Sequence, residues 1–206
     1  AVSRRSGPAV KRWFYLVVGG SAGVLTAPVT TGIALAIRLT DGAPVFFRQR
    51  RSGIGGRPFE LVKFRTMRVA SDEPWDPSRD TDRTTRLGAL LRSTSLDELP
   101  TLVHVVSGRM SLVGPRPLPV EYLGRYSDTQ ARRLEVRPGV TGLAQVSGRN
   151  LLSWDERFEL DVWYVDHRSF RLDLRILAMT VRQVLRREGV DRGEGVTMTE
   201  FLGPGS

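Results

Sequence analysis

Hydrophobic and polar positions divide this chain into one long uncharged block and a series of short patterned segments. Trp13 to Ile37 carries no charged residue, a length that suits a tilted transmembrane helix of roughly 20 apolar residues. Beyond it the periods shorten. Val45–Arg50 and Phe59–Phe64 read as two strands around the turn S-G-I-G-G-R-P. Arg83–Arg92 and Glu98–Val106 read as helices. S-W-D-E at Ser153 is a capping box, with Trp154, Phe158 and Val162 at helical spacing behind it. Leu174, Leu177, Val181, Val184 and Leu185 mark a last amphipathic helix ending at Arg186 and Arg187. The Asp- and Pro-rich stretch Asp72–Asp82 reads as a loop, and Pro115, Pro117 and Pro119 enforce extended chain after Val113. The pattern predicts an α+β, mostly α protein: a basic segment and membrane helix over 1–40, a domain over 41–190 and a tail over 191–206.

The uncharged block is not a uniform anchor. Pro28 sits in its middle, where it removes a helical hydrogen bond and clashes with the preceding turn. Gly19, Gly20, Gly23 and Gly32, with Thr26, Thr30 and Thr31, dilute its apolar character. Both flanks are basic: Arg4, Arg5, Lys11 and Arg12 precede it, and Arg38, Arg48, Arg50 and Arg51 follow. A single span would place one basic cluster outside, against the positive-inside tendency. Breaking at Ala27-Pro28 removes that conflict. The first leg, Trp13 to Ala27, is then about 22 Å long, short of the ~30 Å hydrocarbon core. It would enter the bilayer, turn, and return both basic clusters to anionic headgroups on the cytoplasmic face. The freed backbone groups need partners such as the threonine hydroxyls. A cleaved signal peptide fits poorly, because the block exceeds a normal apolar region and no A-x-A-like site follows. The physics of the segment leaves a re-entrant hairpin and a true span both standing.

Charge narrows the partners. The chain has 206 residues, 31 basic against 22 acidic, with a formal net charge of +9, and its lysines are Lys11 and Lys63 alone. Such an excess predicts anionic partners: nucleic acid, phospholipid or phosphorylated substrates. Arginine suits bidentate recognition of phosphate. With no cysteine, disulfides, thiolate metal sites and cysteine nucleophiles are excluded. The chain opens on Ala1 rather than Met and ends in L-G-P-G-S, so either end can be a cut in a longer protein.

Against this basic background stands S-T-S-L-D-E-L-P, Ser93 to Pro100, with the adjacent acids Asp97 and Glu98. One reading is a helix start. Ser95-Leu96-Asp97-Glu98 fits a capping box, and Asp97 as the cap would put Pro100 at a tolerated third position. The other reading is a metal-assisted phosphoryl-transfer site. An adjacent Asp-Glu pair can hold Mg²⁺, which prefers one or two carboxylates plus substrate phosphates and waters. Spacing alone keeps both readings.

Four ordered blocks add a resemblance. They are A-P-V-F-F-R-Q-R-R-S-G-I-G-G-R-P-F-E-L-V-K-F-R-T-M (Ala43–Met67), R-S-T-S-L-D-E-L-P (Arg92–Pro100), M-S-L-V-G-P-R-P (Met110–Pro117) and R-P-G-V-T-G-L-A-Q-V-S-G-R-N (Arg137–Asn150). Together they resemble the bacterial sugar transferases, the monotopic phosphoglycosyl transferases, from about Lys11 to Arg187. The resemblance implies a re-entrant membrane helix and a compact cytosolic-face catalytic domain with interfacial amphipathic helices. It implies Mg²⁺-dependent transfer of a sugar-1-phosphate from a UDP-sugar to a membrane polyprenyl phosphate such as undecaprenyl phosphate, releasing UMP at the inner membrane. The covalent phosphosugar would form on Asp97, with Glu98 holding metal or a proton. Arg92 matches the arginine before the dyad, and Lys63, Arg65, Arg116, Arg137 and Arg149 are expected to line the diphosphate site. Gly114, Gly139 and Gly142 are expected to serve backbone shape, and His104 and His167 to be structural.

Some positions depart from the family pattern. Tyr15 stands where an acid is common, and Ala27 precedes Pro28 where serine is common. Thr101 and His104 replace Gln and Asn after the dyad, and Arg109 replaces an acid. None removes a proposed chemical group. A nucleic-acid module would explain the charge but lacks an aromatic–basic platform, and an inactive membrane scaffold would leave the four blocks unexplained. No nucleic acid is expected as partner. Sugar identity, exact lipid, glycan pathway and oligomeric state are not legible in the sequence.

Overall fold

The computed structural model describes residues 8–68, 83–148, 151–186 and 200–205. The expected loop Asp72–Asp82 and the candidate Arg149 lie outside these residues. The apolar block forms a single helix, α1 (Pro8–Thr40), of 33 residues with Pro28 inside it. α1 runs through Ala27-Pro28 as one element where two helices were expected. Thr26 and Thr31 donate to the carbonyls of Ala22 and Ala27, four residues back on either side of Pro28.

The buried positions of α1 lie near its two ends. Near its start Tyr15 is buried, and a Cβ on Gly19 would lie 3.0 Å from Val105. Near its end Ile37 is buried with Phe64 and Leu91. Residues 20 to 32 contain no buried position. Polar clamps reinforce each contact. Asp173, buried, accepts hydrogen bonds from Lys11 (2.7 Å), Tyr15 (2.5 Å) and Tyr164 (2.7 Å). After the helix, the Arg65 guanidinium donates to the carbonyls of Asp41, Gly42 and Ala43, and Thr85 donates to the Asp41 carboxylate.

Two strands follow, β1 (Phe46–Ser52) and β2 (Pro58–Phe64), antiparallel with Phe47 opposite Lys63 and Arg51 opposite Phe59. Both outrun their expected ranges by a residue or two at the turn end, where the glycine-rich link supplies the tight reversal. Next come α2 (Arg86–Ser93), a 3₁₀ turn (Leu96–Thr101) and α3 (Leu102–Val106). Two short strands, β3 (Ser111–Val113) and β4 (Gly139–Thr141), pair in parallel. Three residues each are too few for an alternation signal, so the pattern hid them. Between them lie the proline-rich stretch and α4 (Asp128–Ala131), and after them α5 (Leu143–Ser147), α6 (Trp154–His167) and α7 (Phe170–Arg186). The capping box at Ser153 forms as expected, with Glu156 bonding back to the Ser153 amide at 2.8 Å.

Three glycines carry the close approaches that set the site's frame. A Cβ at Gly139 would meet Gly114 N at 2.2 Å, and one at Gly142 would meet Gly114 O at 2.2 Å, which bears out the backbone role expected for this trio. Gly88, on α2, is tighter still: a Cβ would sit 1.9 Å from the Thr66 carbonyl oxygen. That contact seats α2, and with it Arg92, on the end of β2. Gly88→Ala should therefore lose about 1–3 kcal/mol by overpacking, read as a lowered urea midpoint with unchanged slope.

Candidate active site

The chain from Arg92 to Pro100 does not cap a helix with Asp97. α2 ends at Ser93, and Ser95 takes a left-handed conformation, φ 57° and ψ 18°. Among the described residues it alone, glycines apart, has positive φ. Serine there is strained. Ser95 occupies the position before the 3₁₀ turn but its side chain makes no capping hydrogen bond. Asp97 and Glu98 lie inside that turn, and Pro100 is held within it. Both capping readings of the motif are thus replaced: the kink at Ser95 swings the two acids off the axis of α2 and toward β2.

Three cations converge on them from three elements: Lys63 from β2, Arg92 from α2, and Arg116 from the proline-rich stretch. Arg116 donates to the Glu98 carboxylate at 2.7 Å. Arg92 is oriented by its Nε–H, which donates to the Thr66 hydroxyl at 3.1 Å. Lys63 passes beside the Phe47 ring, 5.5 Å from its centroid. Asp97 is buried at 7% exposure. Burial first, then the neighbouring Glu98 charge, push its carboxyl above the ordinary value of 3.8, while Lys63, Arg116 and Arg92 pull the other way. Burial lowers the Lys63 ammonium in turn. The result is a partly dry carboxylate facing fixed positive charge, suited to attack on, or binding beside, a phosphoryl group.

The remaining expected phosphate residues separate. Arg65 is buried with its guanidinium on the 41–43 carbonyls, so it fastens the end of α1 rather than facing the acids. Arg137 is exposed and donates to the Gly108 carbonyl at 3.0 Å, near Arg12 at the far end of α3. His104 is buried, its Nε2 accepting from the Val62 amide at 3.2 Å, and His167 bonds the Trp163 carbonyl, both structural as expected.

Two arginines at the site escaped the sequence reading. Arg51 on β1 donates to the Pro117 carbonyl and to Gln49, and burial beside Arg116 lowers its guanidinium to about 10. Arg133 donates to the Arg116 carbonyl at 2.7 Å and grips the buried Asp161 with two N–H groups. In a chain so rich in arginine, only the register of β1 and the helical period around Asp161 could have singled them out.

Comparison with known proteins settles the family. The family model for bacterial sugar transferases matches residues 6–187. The chain belongs to the bacterial sugar transferase family. It is 48% identical over 196 residues to the uncharacterized sugar transferase EpsL of Bacillus subtilis, covering 95% of this chain and 97% of that one. It is 40% identical over 185 residues to the UDP-glucose:undecaprenyl-phosphate glucose-1-phosphate transferase of Caulobacter vibrioides, covering 85% of this chain and 69% of that one. It is 37% identical over 206 residues to the undecaprenyl-phosphate galactose phosphotransferase of Salmonella typhimurium, covering 91% of this chain but 43% of that one.

Its burial should make Asp97 titrate above 3.8, and Lys63→Met should raise the value further, because it removes the first of the charges that favour ionisation. Carboxyl ¹³C titration checks both directions. A folded-state value above the unfolded one means that ionising Asp97 lowers stability as pH rises through it. Asp97→Asn should accordingly leave the pH 7 melting temperature equal to or above wild type.

Proposed function

We propose that this sugar transferase moves a sugar-1-phosphate from a UDP-sugar to a membrane polyprenyl phosphate, with Asp97 as the nucleophile. The observation that carries the reading is the buried Asp97 carboxylate faced by Lys63, Arg92 and Arg116. A phosphoryl group in transfer needs charge neutralisation and in-line positioning more than acid–base help. The relatives' names supply the substrates: those of Caulobacter and Salmonella act on undecaprenyl phosphate and name glucose and galactose.

In the first half-reaction an Asp97 oxygen attacks the phosphorus that carries the sugar. The bond from that phosphorus to the bridging oxygen breaks, and UMP departs with the electron pair. In the second, a polyprenyl phosphate oxygen attacks the same phosphorus and the Asp97 carboxylate is released. Arg92 and Arg116 hold phosphate oxygens, and Lys63 balances the charge that builds beside Asp97. Phosphate contact by Arg116 would replace its bond to Glu98.

The acid pair fits Mg²⁺. Among the described residues no cluster of three metal-binding side chains occurs, which disfavours an all-protein cage. Two adjacent carboxylates on a turn match a magnesium ion that shares its remaining positions with phosphates and water. Asp97 and Glu98 would hold it, and when bound it would neutralise diphosphate charge.

The grip of one domain on both ends of α1 supports a re-entrant disposition in the membrane. The apolar region Lys11–Thr40 is long enough to cross a bilayer. A straight crossing helix would carry one end away from the domain. Contacts at Tyr15 and Ile37, with no buried position over residues 20–32, support a segment that enters the membrane through its middle, bending at Pro28 in a bilayer, and keeps the domain on the cytoplasmic face. Single cysteines near residue 6 and at Gly55 should then both react with impermeant reagent from the cytoplasmic side only. Labelling of either from outside would exclude the hairpin.

The chemical test is UMP release with undecaprenyl phosphate and a panel beginning with UDP-glucose and UDP-galactose. Asp97→Asn should abolish turnover and the phosphosugar adduct seen on Asp97 by mass spectrometry, while the fold survives. Glu98→Gln should impair turnover with a raised Mg²⁺ requirement. A folded Asp97→Asn protein with near-normal rates would return this aspartate to a structural role.

A further inference from the structure

The short C-terminal stretch Glu200–Gly205 lies against the domain far from the dyad in sequence. Phe201 is completely buried. Its ring sits 4.9 Å from that of Phe158 and 5.8 Å from that of Tyr126, with Trp154 and Tyr122 closing the cluster. Arg125 fastens the segment from outside, donating to the Glu200 carboxylate at 2.6 Å and to the Phe201 carbonyl at 2.5 Å. The Phe201 amide in turn donates to the Tyr122 hydroxyl.

The same two rings that pack on Phe201 carry Arg133. Its guanidinium lies 5.4 Å from the Phe158 centroid and 5.8 Å from that of Tyr126, whose hydroxyl it also approaches. Arg133 then holds the Arg116 carbonyl. The next two carbonyls along the chain are held as well. Arg51 takes Pro117 at 3.4 Å, and the amide and hydroxyl of Ser52 both take Leu118. Pro115, Pro117 and Pro119 cannot donate, so this stretch has few amides for a ladder of its own, and its placement depends on those borrowed donors.

We propose that Phe201 is a positioning residue for the transfer reaction: docked in its aromatic seat, the C-terminal segment keeps Arg133 in place, and Arg133 fixes the backbone from which Arg116 reaches the acid pair. The inference rests on the function proposed above. Without the ring, a void opens beneath Tyr126 and Phe158, and interiors packed at crystal density relax into such a void. Arg133 follows its stacking partners, and Arg116 loses its register with Glu98. Small misplacements at a reacting centre cost roughly 10- to 100-fold in rate.

The test compares the full chain in detergent with three variants. Phe201→Ala empties the seat, Arg125→Gln loosens the segment without creating a cavity, and Phe201→Leu refills most of the volume. Backbone hydrogen–deuterium exchange is read over residues 111–120 and, as an internal reference, over the 46–64 hairpin. Sugar-phosphate transfer is measured alongside. Phe201→Ala and Arg125→Gln should both raise exchange in 111–120 while the hairpin stays protected. Transfer should fall roughly 10- to 100-fold for Phe201→Ala, and Phe201→Leu should recover most of it. Unchanged exchange in 111–120, equal loosening of both regions, or wild-type transfer rates in Phe201→Ala would each overturn the proposal and reduce the segment to a general staple. A wild type that transfers no sugar phosphate from any donor would remove the functional reading instead, and the exchange comparison would still decide whether the tail governs the Arg116 stretch.

Discussion

Asp97 is an acid withdrawn from water with a second acid next to it in the chain, and the positive charge that favours its anion is delivered from outside its own turn. Burial and a like-charged neighbour each oppose the anion. Local sequence cannot answer this, since the 3₁₀ turn holds no cation. The three that answer come from β2, α2 and the 115–119 stretch, and much of the fold is explained by the need to bring them within reach. Gly88 allows α2 to lie on the Thr66 carbonyl, which brings Arg92 to the Thr66 hydroxyl. The parallel pair β3–β4, with glycine on both sides of the closest approach, launches the chain toward Arg116. The β1–β2 register puts Lys63 opposite Phe47, on the strand end nearest the turn of acids.

The same economy links the membrane segment to the site. β2 ends in Phe64, immediately after Lys63, and Arg65 follows it. Phe64 packs against Ile37 of α1, and Arg65 ties down the 41–43 carbonyls that follow the helix. A lysine facing the acids and an arginine holding the end of α1 are thus two residues apart, with Phe64 between them. Alternation along the strand sends Lys63 and its neighbour Phe64 to opposite sides, the first toward the acids and the second onto α1. On such an arrangement the position of α1 and that of the acid pair are not independent, as the proposed reaction between a soluble nucleotide sugar and a lipid phosphate would require.

Strong local signals were legible in the sequence and distant ones were not. The uncharged block, the hairpin, the Ser153 capping box and the last amphipathic helix each rest on a period or cap contained within one segment. The acid pair was legible as well, though its conformation was misjudged. A serine in the left-handed region breaks the chain before the turn, and no residue preference announces that. Among the basic residues, Lys63, Arg92 and Arg116 meet at the acids, whereas Arg65 and Arg137 serve backbone carbonyls. All five are cations in matching blocks, and charge alone does not say whether a guanidinium will meet a carboxylate or a carbonyl. Arg133, Asp161, Asp173 and Phe201 were invisible for a related reason: each acts through partners remote in sequence, which only the folded chain brings together.

Two arginine–acid pairs next to one another show how burial divides the work. Arg133 and Asp161 have side-chain exposures of 1% and 2%, so removing either partner would strand a charge in a dry interior, a loss of about 3–5 kcal/mol. Arg116 and Glu98 are 44% and 25% exposed, and a pair so placed contributes only about 0–1 kcal/mol. The first pair stays closed while the rings around Arg133 stay packed. The second can be opened at little expense. A phosphate arriving beside Asp97 offers Arg116 a better partner than Glu98, since guanidinium binds phosphate through two parallel hydrogen bonds. In the proposed reaction this would also free Glu98, one of the two acids that would hold Mg²⁺. What the fold must supply is an Arg116 whose backbone stays still while its side chain changes partner, and the buried pair one hydrogen bond behind it, through the Arg116 carbonyl, has the rigidity to do so.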